Sequence, residues 1–149
     1  MSILPERLKE VLGEKIYKRE DSNLVKDALI RLDVNASEAF QEFYIRYEGP
    51  FWEEYVPFEL LDLTDGENNI ESYTYISREK LNFPKQYLFL SEMSANAELI
   101  LDTITDKVYI VNFEGGDELL LKGHLKENWA TFYDFLKDYF CPEGKTCVR

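Results

Sequence analysis

His124 is the only histidine of the chain, so a zinc site built on two or more histidines is excluded. Cys141 and Cys147 are the only cysteines, and Cys141 with His124 could in principle pair as nucleophile and base. Nothing near either residue in sequence supplies an orienting group or oxyanion donors. Gly144-Lys145-Thr146 has the ending of a phosphate-binding loop, but Tyr139 stands where the loop's first glycine belongs and no strand precedes it. Asp62-Leu63-Thr64-Asp65-Gly66-Glu67 has the composition of a calcium loop with its oxygen ligands out of register with the glycine, and would bind divalent cations at most weakly. Asn35-Ala36-Ser37 fits the glycosylation pattern, which a helix cap in a cytoplasmic protein would not bring to the glycosylation machinery. Paired carboxylates for glycoside hydrolysis stay as a third, weakly held reading, because 29 acidic residues make a chance pair easy to assemble. The residues thus predict no catalytic set, no metal site and no cofactor.

Charge carries more information. Twenty-nine Asp and Glu against 17 Lys and Arg give a net charge of -12, which repels phosphate backbones and anionic membrane surfaces. Direct nucleic-acid binding and membrane binding are disfavoured. The first 31 residues are nearly balanced, and no basic residue occurs between Arg46 and Arg78. That stretch carries Glu48, Glu53, Glu54, Glu59, Asp62, Asp65, Glu67 and Glu71. Its field extends over a Debye length, ~8 Å at physiological salt. Phe51, Trp52 and Tyr55 flank Glu53 and Glu54 directly after Gly49, mixing the aromatic types that anchor interfaces with charge. Phe51, Trp52, Glu53, Glu54, Tyr55, Asp62, Asp65 and Glu67 are therefore the candidate partner-binding residues. Two blander alternatives stay open: the acids form a solvated surface, and Phe51 and Trp52 fold back onto the core.

The elements that must position these residues read as α+β, with a central antiparallel sheet flanked by amino-terminal helices and a carboxy-terminal helix. At 149 residues, 45% of them hydrophobic, the chain is predicted to form one domain with a core over about 24–140, a helical arm in 1–20 and a tail in 141–149. Pro5 to Leu12 is amphipathic and stops at Gly13. A second helix is predicted from Leu24 to Leu32, capped by Ser22 or Asn23. Asn35 and Glu38 have capping-box spacing before the stripe Ala36, Ala39, Phe40, Phe43, Tyr44 and Tyr47, and Gly49-Pro50 ends that helix. The stripe is read as core. A strand is predicted over Val56–Leu63 and a helix over Asn69–Lys80. An antiparallel meander follows, with strands over Gln86–Leu90, Glu98–Asp102, Lys107–Phe113 and Glu118–Lys122. A last helix, capped by Asn128, runs from Trp129 to Phe140. Phe40, Phe43, Tyr44, Phe132 and Leu136 should be buried together.

The start of the chain has no apolar leader segment and no run reaches the ~20 apolar residues of a spanning helix, so a cytoplasmic protein with free thiols is expected. The order of motifs resembles the SUKH superfamily, shared by Smi/Knr-type cell-wall regulators and many bacterial toxin-immunity proteins. The likeness spans about Leu24 to Phe140. It lies in Tyr47-Glu48-Gly49, where the family often has Tyr-Asn-Gly, in the hairpin of Leu99-Ile100-Leu101-Asp102 with Lys107-Val108-Tyr109, and in Trp129-Ala130-Thr131-Phe132-Tyr133-Asp134-Phe135-Leu136, similar to the closing Ser-Phe-x-x-Phe-Leu. Leu32-Asp33-Val34-Asn35-Ala36 replaces the family's Gly-x-x-Leu-Pro, and Asn96-Ala97 replaces its glycine before the hairpin. The resemblance implies a non-catalytic binding domain, commonly one that neutralises a toxin. Joined with the charge, it gives as first expectation an immunity protein whose acidic, aromatic-bearing surface covers a basic nuclease-type toxin domain. A regulatory scaffold of the Smi/Knr type is the alternative.

Overall fold

The computed structural model describes residues 3–13 and 17–142 of the chain. Helix α1 (Leu8–Leu12) ends at Gly13, whose φ of 73° glycine adopts without steric cost. Helix α2 (Asn23–Leu32) buries Val25, Ala28, Leu29 and Leu32; Ser22 precedes it without a side-chain cap, and the Asp21 carboxylate accepts from the Asn23 N–H.

Helix α3 (Glu38–Arg46) turns its aromatic stripe inward. Its cap is Ser37, whose hydroxyl accepts from the Phe40 N–H, so the expected Asn35 capping box is corrected. Residues 34–36 lie outside the helix, and Ser37, with φ -61° and ψ 161°, takes the non-helical cap position from which a side chain reaches the orphan amides of the first turn. Helix α4 (Ile70–Lys80) starts with the reciprocal box of Asn69 and Ser72. Helix α6 (Phe132–Phe140) is capped by the Thr131 hydroxyl, three residues later than predicted. Asn128 is used otherwise: its side chain accepts from the Ile110 N–H of the sheet.

The sheet is antiparallel in the order β1 (Tyr87–Phe89), β2 (Ala97–Asp102), β3 (Val108–Asn112), with Leu88 opposite Leu101 and Ile100 opposite Tyr109. Period-two alternation divides its side chains between two apolar clusters. Leu88, Leu99, Leu101 and Val108 join the main core, where Phe40, Phe43, Tyr44, Phe132 and Leu136 are all fully buried. Phe89, Ile100, Tyr109 and Val111 face a second cluster with Phe83 and Leu120. The ring of Phe40 lies 5.0 Å from that of Phe132, and Phe43 lies 5.8 Å from Phe140, which locks α3 onto α6.

Two predicted strands are corrected. Glu118–Lys122 falls in helix α5 (Gly116–Leu121), because the free edge of β3 is already taken by a Val108–Trp129 bridge and by Asn128. A further strand would find no ladder partners there. Val56–Leu63 forms no strand beyond a single Phe51–Leu60 bridge. Its polar groups go elsewhere: Leu61 N–H to the Leu90 carbonyl, the carbonyls of Asp62 and Leu63 to the first amides of α4, and Leu60 N–H to the Tyr139 hydroxyl. The free-thiol expectation is corrected at Cys141, which is disulfide-bonded; Cys147 lies outside the described residues. Among the described residues no helix is long and apolar enough to cross a membrane.

Candidate functional site

The acidic segment between α3 and α4 folds as a loop held at both ends from beneath. Tyr139 of α6 holds the amino-terminal half. Its hydroxyl shares one proton between the carbonyls of Phe51 at 2.9 Å and Phe58 at 2.7 Å, and accepts from Leu60 N–H at 3.1 Å. Burial pushes this phenol well up, so it remains a donor across the physiological range.

Asp62 holds the other half. One carboxylate oxygen receives the Arg19 guanidinium and the Gly49 N–H at 2.8 Å; the other receives Thr64 N–H at 3.2 Å and Asp65 N–H at 2.9 Å. Arg19 is itself buried and also donates to the carbonyls of Tyr44 and Tyr47 and to Glu48. A side chain at position 49 would place its Cβ 2.9 Å from the Phe51 ring and 3.1 Å from the Asp62 nitrogen, so the approach requires glycine. The Gly49–Pro50 peptide is cis.

This anchoring sorts the candidate residues. Asp62, 1% exposed and filled with donors, is corrected from docking charge to internal staple. A calcium role for it also falls, since its oxygens already face N–H groups. Phe51, 1% exposed, is corrected from interface residue to core: its ring lies 5.1 Å from Phe43 and 5.6 Å from Phe140. Trp52, the next residue along the extended chain, points the opposite way and is 63% exposed. Glu54, Asp65 and Glu67 are exposed, while Glu53 and Tyr55 are half-buried.

Glu48 belongs with them, at the mouth of the Arg19 pocket. Burial, the nearby Asp65 charge, and those of Asp62 and Glu20 raise its proton affinity against the pull of Arg19. Glu48, Asp65 and Glu20 therefore lie near one another above the buried Asp62. Glu71 faces away, bound by Arg31 at 2.6 and 2.9 Å and by the Thr64 hydroxyl at 3.0 Å. Arg19 escaped the sequence reading although a signal was present. With no basic residue between 46 and 78, any buried acid of that segment has to draw its cation from outside it.

Among the described residues the arrangement offers charge and an exposed aromatic side chain. His124 is exposed just past α5, and its backbone N–H donates to the Leu119 carbonyl at 2.8 Å. Gly144-Lys145-Thr146 lies outside the described residues. Among the described residues no group of three or more His, Cys, Asp or Glu could hold a metal ion. Neither a protein-family model nor a curated protein matches the chain.

Proposed function

We propose that the chain is a non-catalytic protein-binding domain of the immunity type, SUKH-like as the motif order suggests, acting in the cytoplasm on a basic, nuclease-type toxin domain. The observation that carries it is Trp52. A tryptophan 63% exposed on a loop pinned at its base by Tyr139 and Asp62 costs apolar exposure that folding does not repay. Trp52, Glu53, Glu54, Asp65 and Glu67, with Glu48 beside Asp65, give this loop an exposed aromatic side chain and several carboxylates. Such a pair of features suits a partner that normally grips phosphates: carboxylates steer the encounter and the indole holds the complex. Preorganisation of the loop removes much of the ordering cost of binding. In a reducing cytoplasm the Cys141 bond would open, and its place after the last turn of α6 keeps that change outside the core helices.

The test is co-expression with the toxic domain of any large secreted protein encoded beside this chain. Protection by the wild type, and its loss on Trp52→Ala together with Glu54→Lys and Asp65→Lys in a protein that still folds, is the expected result. Protection undiminished by the triple change would overturn this face as the binding site. Absence of protection and of a measurable complex would overturn the immunity function.

A further inference from the structure

The second apolar cluster contains a group that apolar surroundings do not suit. Glu98 lies on β2 opposite Val111, on the sheet face that carries Ile100, Tyr109 and Val111. It is 6% exposed, and its Oε2 is wholly buried without a hydrogen-bond partner. The charged group acting on it is Glu92, in the connection between β1 and β2. From α4 the Tyr73 hydroxyl donates to Glu92 at 2.9 Å, and the charges of both glutamates reach that phenol. Glu92 and Tyr73 are thus the titratable groups facing Glu98 from the hairpin and from α4, and β3 presents Val111 across from it.

A carboxylate with an idle buried oxygen and no cation is strongly disfavoured, whereas a neutral carboxyl puts a proton on that oxygen. A second carboxylate beside it disfavours double ionisation further. Burial first, and Glu92 second, push Glu98 up to about 7.

The segment above this pair is held by few bonds. Ser94 and Ala97 close a two-residue turn in which Ala95 and Asn96 have φ of 51° and 62°. Asn96 suits that region; Ala95 is strained there. Phe113 N–H to the Asn96 carbonyl at 2.8 Å, and the Asn96 side chain to Glu114 at 3.2 Å, tie the tip to the far side. Strain, exposure and sparse bonding make the tip the first part of the sheet to open.

We propose that Glu98 is held as the neutral acid, and that its proton latches the β1–β2 tip, residues 92–96, against α4. When the proton leaves to solvent water, the Glu98 carboxylate is left buried without a cation and is repelled by the exposed Glu92, the Tyr73–Glu92 contact breaks and the tip lifts from the sheet.

Amide hydrogen exchange at Ser94, Ala97 and Phe113, corrected for intrinsic rates, with carboxyl NMR of the glutamates, tests this in the full chain. From pH 5 to pH 8 tip opening should rise on the order of tens of fold, while central amides of β2 and β3 stay protected. Glu98→Gln, which keeps the shape and removes the charge, should abolish the rise; Glu67→Gln should not. A Glu98 carboxyl that titrates in the ordinary glutamate range would overturn the buried neutral acid. Titration near neutrality with unchanged tip exchange would overturn the latch. Should Glu98→Gln fail to fold, Glu92→Gln decides: a tip whose pH response is unaltered overturns the pair.

Discussion

Arg19 and Asp62, 43 positions apart, meet as a buried ion pair, and each brings further bonds that tie the start of the chain to the acidic loop. Removing one partner leaves an unpaired buried charge, which typically costs ~3–5 kcal/mol. Asp62→Ala and Arg19→Met should each show that loss in urea unfolding. A double replacement by apolar residues of similar volume should recover part of it. Equal losses in single and double variants would show that Asp62 matters through Gly49, Thr64 and Asp65 and not through Arg19.

Tyr139→Phe removes one oxygen; Leu60 N–H keeps its 2.9 Å bond to the Phe51 carbonyl, while the Phe58 carbonyl loses its donor. Each unsatisfied buried group costs ~1–3 kcal/mol. The expected outcome is a loss within that range, with intact α6. A variant within 0.5 kcal/mol of wild type, a figure of about the size ordinary surface changes show, would mean that water or a shifted loop replaces the hydroxyl.

Trp52→Ala should leave stability within about ±0.5 kcal/mol, since its ring packs on little. Against a basic partner it should chiefly raise the dissociation rate. Reversal of Glu54, Asp65 and Glu67 should lower the association rate and flatten its salt dependence. Surface plasmon resonance at two ionic strengths separates the effects, and an unchanged salt slope would reduce these acids to a solvated surface.

Acid should weaken the joint between α2 and α4. Burial raises the Glu71 carboxyl, but hydrogen bonds from Arg31 and Thr64 outweigh it and hold the group below its usual 4.5. A depressed carboxyl contributes stability above its unfolded value and loses it as pH falls through the folded one. Thus the contribution is present at neutral pH and disappears below about 4.5. Arg31 is half exposed, so solvent screening limits it to ~1 kcal/mol. Glu71→Gln should cost about that at pH 7 and nothing near pH 3; an equal cost at both would assign the effect to packing.

The helical stripes of α3 and α6 and the short apolar runs of β1 to β3 were legible because each is a local pattern closed by a local cap or turn. Even there the caps moved, from Asn35 to Ser37 and from Asn128 to Thr131, since several polar residues in a row can serve and the chain's entry path selects one. Glu118–Lys122 misled because a short apolar run suits a strand or a buried helix equally, and strand pairing depends on a neighbour's free edge.

From its sequence alone this protein was bound to be acidic, without a histidine cluster, α+β in element order, with an aromatic stripe in its core and a carboxylate-rich loop after it. Those properties follow from composition and short-range periodicity. Only the tertiary structure decided that Asp62 and Phe51 turn inward while Trp52 and Asp65 stay out, that Arg19 crosses the chain to neutralise the buried acid, and that Glu98 lies under a second apolar layer beside Glu92. Residues of one type along one loop carry the same local signal. Their different fates depend on which partners, tens of positions away, the packed elements bring within bonding distance.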